Sequence, residues 1–312
     1  ALAAGCSVII KPSEETPGTA IEVVKIFQEA GLPKDVINLV FGVPHEISDY
    51  LLSRDEVKKV SFTGSVPVGK LLAKKSAETL KRCTLELGGH SPAIIAEDAD
   101  IEKTLDILTG FKFRNAGQVC IAPSRFYVHE KIYDKVRDGF VSRLKKIKLG
   151  NGISDGVTMG PLSNSRRIAA MQDFVDDAVK NGSNILCGGK RHEGVGYFWE
   201  PTIIENIHED SKIMDQEIFG PILPLFKFND YDDVIAKANS LNYGLASYVY
   251  TASETLQNKM AKEIIAGGVS INTAAPMHPE IPYGGIKESG IGYEGGMDAI
   301  YSYIHKKNIN II

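Results

Sequence analysis

The stretch Lys59-Val60-Ser61-Phe62-Thr63-Gly64-Ser65-Val66-Pro67-Val68-Gly69-Lys70-Leu71 decides the fold class. Its opening residues form a short apolar, β-branched run that reads as a strand. A glycine turn follows, and the amphipathic residues 68–80 read as a helix. The same hand-over recurs on both sides. Further apolar runs lie at 7–10, 36–41 and 82–87, with amphipathic segments at 19–30 and 45–53. Gly31-Leu32-Pro33 supplies a helix stop and then a breaker. Strand–helix repetition at this spacing predicts βαβ units, and so an α/β fold with a parallel sheet.

The turn itself nearly spells a phosphate loop. It fails where Leu71 stands in place of the Ser or Thr that would ligate Mg²⁺, and Pro67 removes a backbone donor. Triphosphate hydrolysis is therefore excluded. Thr63-Gly64-Ser65 still sits where a strand becomes a helix, and a helix start attracts a pyrophosphate. Gly290-Ile291-Gly292-Tyr293-Glu294-Gly295 matches a second nucleotide pattern in form only. No buried strand feeds it and no βαβ unit follows it.

A second α/β region runs from Gly88-Gly89 to about Glu288. Helices are expected at 101–115, 131–147, 163–181 and 232–240, and strands at 124–129, Asn184–Cys187, 202–207 and Ile222–Phe228. Residues 301–312 alternate around Tyr303 and His305 and read as a terminal strand, an open edge that another chain would cover.

The 312 residues carry 35 Lys+Arg against 39 Asp+Glu, a net charge of −4 without basic runs, which argues against a nucleic-acid partner. No apolar stretch reaches the ~20 residues of a membrane helix. Cys6, Cys83, Cys120 and Cys187 are far apart and lack metal-ligand spacing, so neither disulfides nor a metal is expected. That points to a reducing compartment, the cytoplasm. The opening residues Ala1-Leu2-Ala3-Ala4-Gly5 lack the basic start of a signal peptide and read as an internal cut.

Two signals carry chemistry. In Phe113-Arg114-Asn115-Ala116-Gly117-Gln118-Val119-Cys120 a cysteine follows a helix within a glycine-containing loop, a nucleophile's position. In Leu85-Glu86-Leu87-Gly88-Gly89 a carboxylate ends an apolar strand. Burial there would raise its pKa and make it a candidate general base. The alternatives are a small buried thiol and a solvated strand end.

Together these segments closely resemble the aldehyde dehydrogenase superfamily. Lys11-Pro12-Ser13-Glu14, Phe62-Thr63-Gly64-Ser65, Gln216-Glu217-Ile218-Phe219-Gly220-Pro221 and Pro282-Tyr283-Gly284-Gly285 add to the resemblance in order, and it covers essentially the whole chain. It implies a Rossmann-like cofactor domain, incomplete here, at 1–88 and 289–298. A catalytic domain at 89–288 and an oligomerisation tail at 299–312 would complete the chain.

By the same resemblance Cys120 attacks an aldehyde and Glu86 activates the water that hydrolyses the thioester. Lys11 and Glu14 meet the adenosine ribose, and Gly64 and Ser65 the pyrophosphate. Leu87, Glu217 and Phe219 border the nicotinamide end. Glu14 favours NAD over NADP, because a carboxylate accepts from a 2′-hydroxyl and repels a 2′-phosphate. Glu86 also argues against the acylating, CoA-dependent branch.

Arg114, six positions before Cys120, resembles the arginine that holds the distal carboxylate in succinate-semialdehyde dehydrogenase-like members, with His278 and Tyr283 beside the substrate. The chain departs from that subgroup in having Ala122 two positions after the nucleophile, and Met277 and His278 where a serine is usual. Complete members are longer at the N-terminus and carry an oxyanion-binding asparagine there. An impaired enzyme is therefore expected of this chain, and a homo-oligomer (dimer or tetramer) of its full-length form. The rival reading is a non-catalytic truncated paralogue that binds nucleotide or pairs with full-length subunits. A cysteine hydrolase ranks last, for want of a histidine motif.

Overall fold

Through Glu86 the chain alternates short strands with helices: β1 (Val8–Ile10), α1 (Pro17–Glu29), β2 (Ile37–Leu39), α2 (Pro44–Ser53), β3 (Lys59–Thr63), α3 (Val66–Ala77) and β4 (Arg82–Glu86). The computed structural model describes residues 1–275 and 278–312. β1 pairs with β2 and β3 with β4, both in parallel, so the alternation found in the sequence does build βαβ units. All three helices begin a residue or two before the amphipathic pattern does, because Pro17, Pro44 and Pro67 sit in their first turns. A proline there loses no helical hydrogen bond and arrives with a helical φ.

The register of β3 against β4 places Thr63 opposite Glu86, and the Gly64 N–H donates to the Glu86 carbonyl at 3.0 Å. Both residues thus stand at the carboxyl end of a parallel sheet, the end where α/β folds bind ligands.

The chain divides into two compact units. The first holds Ala1–Glu86, His278–Tyr283 and Ile291–Ile312, and the second Leu87–Met277 and Gly284–Gly290. The second unit is built on a seven-stranded sheet of order β11-β10-β5-β6-β9-β8-β7. In chain order its elements are β5 (Pro92–Ile95), α4 (Ile101–Phe113), β6 (Arg125–His129), α5 (Tyr133–Leu144), α6 (Ser165–Lys180), β7 (Asn184–Cys187) and β8 (Thr202–Glu205). They continue with β9 (Ile222–Phe228), α7 (Tyr231–Asn239), β10 (Ala246–Tyr250), α8 (Glu254–Glu263) and β11 (Gly268–Ile271). Only the β7–β8 pair is antiparallel.

Four of these elements, β5, β10, α8 and β11, are absent from the sequence reading. β5 lies between β10 and β6, and Ala93, Ile94 and Ile95 are fully buried. A strand covered on both faces loses the alternation that marks a half-buried one. The core beneath it joins Ile94, Tyr127, Phe228, Val234, Val249 and Met260. Asp100, Asn164, Asp230 and Ser253 cap α4, α6, α7 and α8, each accepting from a backbone N–H three residues on.

After Ile291 the chain returns to the first unit. A two-residue strand, β12 (Gly290–Ile291), lies beside β4, and a short helix, α9 (Asp298–Tyr301), follows. The expected strand at 301–312 does not form in the single chain. Residues beyond Ser302 carry no regular structure. Side chains hold the start of this segment instead. The Arg82 guanidinium donates to the Ile304 carbonyl at 2.6 Å, and the Lys59 ammonium sits over the Tyr303 ring.

Candidate active site

The loop that carries Cys120 begins where α4 stops. Asn115, Ala116 and Gly117 follow one another at φ of +51°, +52° and +72°. Two of the three are not glycine, and each such residue costs about 1–3 kcal/mol unless its surroundings enforce the geometry. The enforcement is visible. Ala116 is buried, and a Cβ on Gly117 would collide with the Gly220 carbonyl. The buried Gln118 closes the turn: its backbone N–H donates to the Asn115 carbonyl at 3.1 Å, and its Oε1 accepts from the Ser163 N–H at 2.9 Å. Cys120 then sits half-buried in a tight turn closed by Ala122 N–H to Val119 carbonyl at 2.9 Å. From β10, the Tyr248 hydroxyl donates to the Ile121 carbonyl at 2.7 Å.

Against this loop lies Gly89. A Cβ there would come within 2.8 Å of the Cys120 carbonyl oxygen. The same residue's N–H donates to Glu217 Oε1 at 3.2 Å, and a Cβ on neighbouring Gly88 would stand 2.5 Å from Glu217 Oε2. The missing Cβ at Gly88 is therefore what lets the Glu217 carboxylate approach backbone this closely, and the one at Gly89 is what admits the Cys120 carbonyl. Burial raises the Glu217 pKa, while the Gly89 N–H and the charge of Arg167 act the other way. Phe219, two residues on, holds φ +42°. Next to Gly89, the buried His90 ties the segment down: its ring nitrogens lie 2.8 Å from Ser124 Oγ and 2.8 Å from the Ile213 carbonyl. Burial drops its pKa to about 3, so the ring is neutral, with Nε2–H donating to Ile213.

Glu86 closes the first unit's β4. Both of its carboxylate oxygens are buried without a hydrogen-bond partner. Desolvation pushes its pKa up to about 8, and the nearby Glu294 carboxylate adds to the rise. Glu294 in turn exchanges both backbone hydrogen bonds with Tyr283, at 2.7 Å each. The first unit thus brings Glu86, Glu294 and the Tyr283 backbone into one neighbourhood.

The remaining candidates are placed as follows. Lys11 and Glu14 form an ion pair at 3.0 Å after β1. Ser65 precedes α3 with an extended backbone and makes no side-chain cap bond, and Gly64 stands before it. Leu87 is buried in the second unit, its N–H bonded to the Ser289 carbonyl at 2.9 Å. Arg114 is exposed where the nucleophile loop begins. His278 is exposed in the first unit, and Met277 lies outside the described residues. Among the described residues no three His, Cys, Asp or Glu side chains group as a metal site, and no helix is long and apolar enough to cross a membrane. The sequence reading missed Gln118, Tyr248, Arg167 and Glu294 as parts of these neighbourhoods. Gln118 stood inside the quoted motif and Glu294 inside the glycine-rich stretch dismissed as a nucleotide pattern, whereas Tyr248 and Arg167 carry no local signal.

Residues 1–309 match the model of the aldehyde dehydrogenase family. The chain is 38% identical over 307 residues to the NADP(+) succinate-semialdehyde dehydrogenase GabD of Escherichia coli K12, covering 98% of itself and 64% of that protein. It is likewise 38% identical to the 3-sulfolactaldehyde dehydrogenase of Pseudomonas putida, across 99% of the chain and 64% of the relative. The crystal structure of a succinate-semialdehyde dehydrogenase from Burkholderia pseudomallei superposes with a TM-score of 0.95 at 39% identity, covering 97% of this chain and 63% of that one. The chain therefore spans a little under two thirds of the length of these relatives. A match along nearly all of its own residues, in sequence and in fold, makes the chain a member of the aldehyde dehydrogenase family.

Proposed function

We propose that the protein oxidises an aldehyde to a carboxylic acid with NAD as acceptor, and that Cys120 is the nucleophile. The observation that carries this reading is the packing around Gly89. One glycine meets the Cys120 carbonyl and donates its N–H to Glu217, the carboxylate assigned to the nicotinamide ribose. Cys120 as thiolate adds to the aldehyde carbon to give a thiohemiacetal. A dinucleotide held there would supply the hydride acceptor that converts this adduct into a thioester on Cys120. Glu86 takes a proton from water, which attacks the thioester and releases the acid. A carboxyl at about pKa 8 is a far better proton acceptor than an ordinary one, which supports the assignment. Glu86 stands three residues before Gly89 in the sequence.

The residues present fit a dinucleotide. Gly88 lets the Glu217 carboxylate, an acceptor for a ribose, sit where a Cβ would collide with it, Ser65 opens α3 for a phosphate, and Lys11–Glu14 offers a ribose-binding pair. Glu14 supports NAD over NADP, although GabD is named for NADP(+). Lys11 partly neutralises Glu14, so the preference should be measurable and not absolute.

Arg114 would bind the distal anion of the substrate through its fork of donors. The relatives are named for succinate semialdehyde and 3-sulfolactaldehyde, aldehydes that carry an acidic group at the far end, which supports a semialdehyde acid. Arg114, His278 and Tyr283 are the substrate residues of this reading. The working form would be a homo-oligomer in a reducing compartment, the cytoplasm.

Intact-mass measurement after mixing with succinate semialdehyde and NAD tests the chemistry. Glu86→Gln should trap an acyl adduct on Cys120 and cut NADH formation by about 10²–10⁴. Turnover by Cys120→Ser at the unmodified rate would sink the proposal.

A further inference from the structure

Behind the Glu217–Phe219 turn, on α6, stands Arg167. Its Nη2 donates to the Ile218 carbonyl at 2.6 Å and to the Phe219 carbonyl at 2.9 Å. Its guanidinium lies 5.7 Å from the Phe219 ring centroid. The turn it grips is one that would not hold itself. Phe219 has φ +42°, a region that a bulky side chain rarely enters. A Cβ on the next residue, Gly220, would strike the Met171 sulfur one turn further along α6. The helix thus forms a wall that fixes the turn from behind, with arginine as the polar contact and methionine as the apolar one.

We propose that Arg167 is a positioning residue of the cofactor site: by gripping the Ile218 and Phe219 carbonyls it aims the Glu217 carboxylate at the nicotinamide ribose. The inference rests on the reading of Glu217 given above. Arg167 makes no direct ion pair with Glu217; the carboxylate is hydrogen-bonded by the Gly89 N–H on its other side. The groups facing Glu217 are Gly89, the positive charge of Arg167, and Tyr243, whose phenol is pushed upward first by burial and then by the Glu217 charge. Removing the arginine would therefore do two things at once. It would free the strained turn to relax away from φ +42°, and it would take away the one cation that favours the ionised carboxylate. A carboxylate that drifts or protonates is a poorer acceptor for the two ribose hydroxyls.

Three variants of the full chain separate the possibilities: Arg167→Gln, Arg167→Lys and Glu217→Gln. NADH affinity is read by fluorescence, and the Glu217 carboxyl is titrated by carbon-13 NMR. Arg167→Gln is expected to weaken NADH about tenfold, comparable to Glu217→Gln, and to raise the Glu217 midpoint. Arg167→Lys keeps the charge but not the fork. It should leave the titration near its original midpoint and recover only part of the affinity. A residue that merely supported folding would move the melting temperature and not the carboxyl titration.

Unchanged NADH affinity in Arg167→Gln, with Glu217→Gln impaired, would overturn the proposal. Unchanged affinity in Glu217→Gln would overturn the reading of Glu217 itself. If Arg167→Gln fails to fold, Arg167→Lys decides by the same two readouts: full NADH affinity in that variant would count against the two-carbonyl grip.

Discussion

Glu86 and Gly117 show how two single residues set the conditions for chemistry. A carboxyl lifted to about 8 in the folded chain binds its proton more tightly than the same group in the unfolded chain, where it titrates near 4.5. Between those values the folded state holds the extra proton, so stability falls as pH rises through the window and the cost is complete above about 8. Glu86→Gln should therefore melt higher than the parent at pH 9 and level with it near pH 4, as calorimetry would show. The opposite order would mean the carboxylate is paired when folded. Gly117 bears a different load: a left-handed φ and a backbone carbonyl where a Cβ would go. Gly117→Ala should lower the melting temperature by roughly 5 °C or more. Gly152→Ala, in open space at an ordinary φ, should leave it unchanged.

Helix α4 carries the nucleophile loop and also a lysine with almost no exposure, Lys112. Burial alone drops its pKa from 10.5 to about 7. Here the unfolded chain binds the extra proton between those values, so stability rises with pH across the window and the burial cost is greatest at and below neutrality. Lys112→Met should raise the melting temperature by roughly 3 °C or more at pH 7, with the gain fading toward pH 10.5. A gain independent of pH would point to packing as its source. At the level of elements, β3, β7 and β9 have the bounds that their patterns predict, because each has one face or end marked by turn residues. β5 and β10 escaped notice for a physical reason: both are buried along their whole length inside a largely parallel sheet, where side chains need be only apolar and not alternating, while β11 is a four-residue edge strand, Gly-Val-Ser-Ile, too short to show a pattern. Arg167 was equally silent, since on α6 it reads as one more charge on an amphipathic helix.

At the scale of the molecule the two units are unevenly filled. The first contributes Val24, Ile37, Leu52, Leu72 and Leu85 to the buried apolar set, while nearly all the rest belong to the second. Apolar burial supplies about 25 cal/mol per Å², so the first unit should open before the second. Hydrogen–deuterium exchange should show β1 and β2 losing protection early and β5, β6, β9 and β10 last. Equal protection throughout would show that the units unfold together. The sequence alone was enough to name the parallel α/β class and to single out Cys120 and Glu86 as candidates, because strand–helix spacing, a glycine-containing loop and a strand-end carboxylate are local patterns. Only the tertiary structure decided that Gly89 joins Cys120 to Glu217, that Arg167 braces the turn after Glu217, and that Glu86 is stripped of hydrogen bonds. Those facts depend on residues far apart in the chain meeting within a few ångströms, and neither composition nor periodicity encodes such distances.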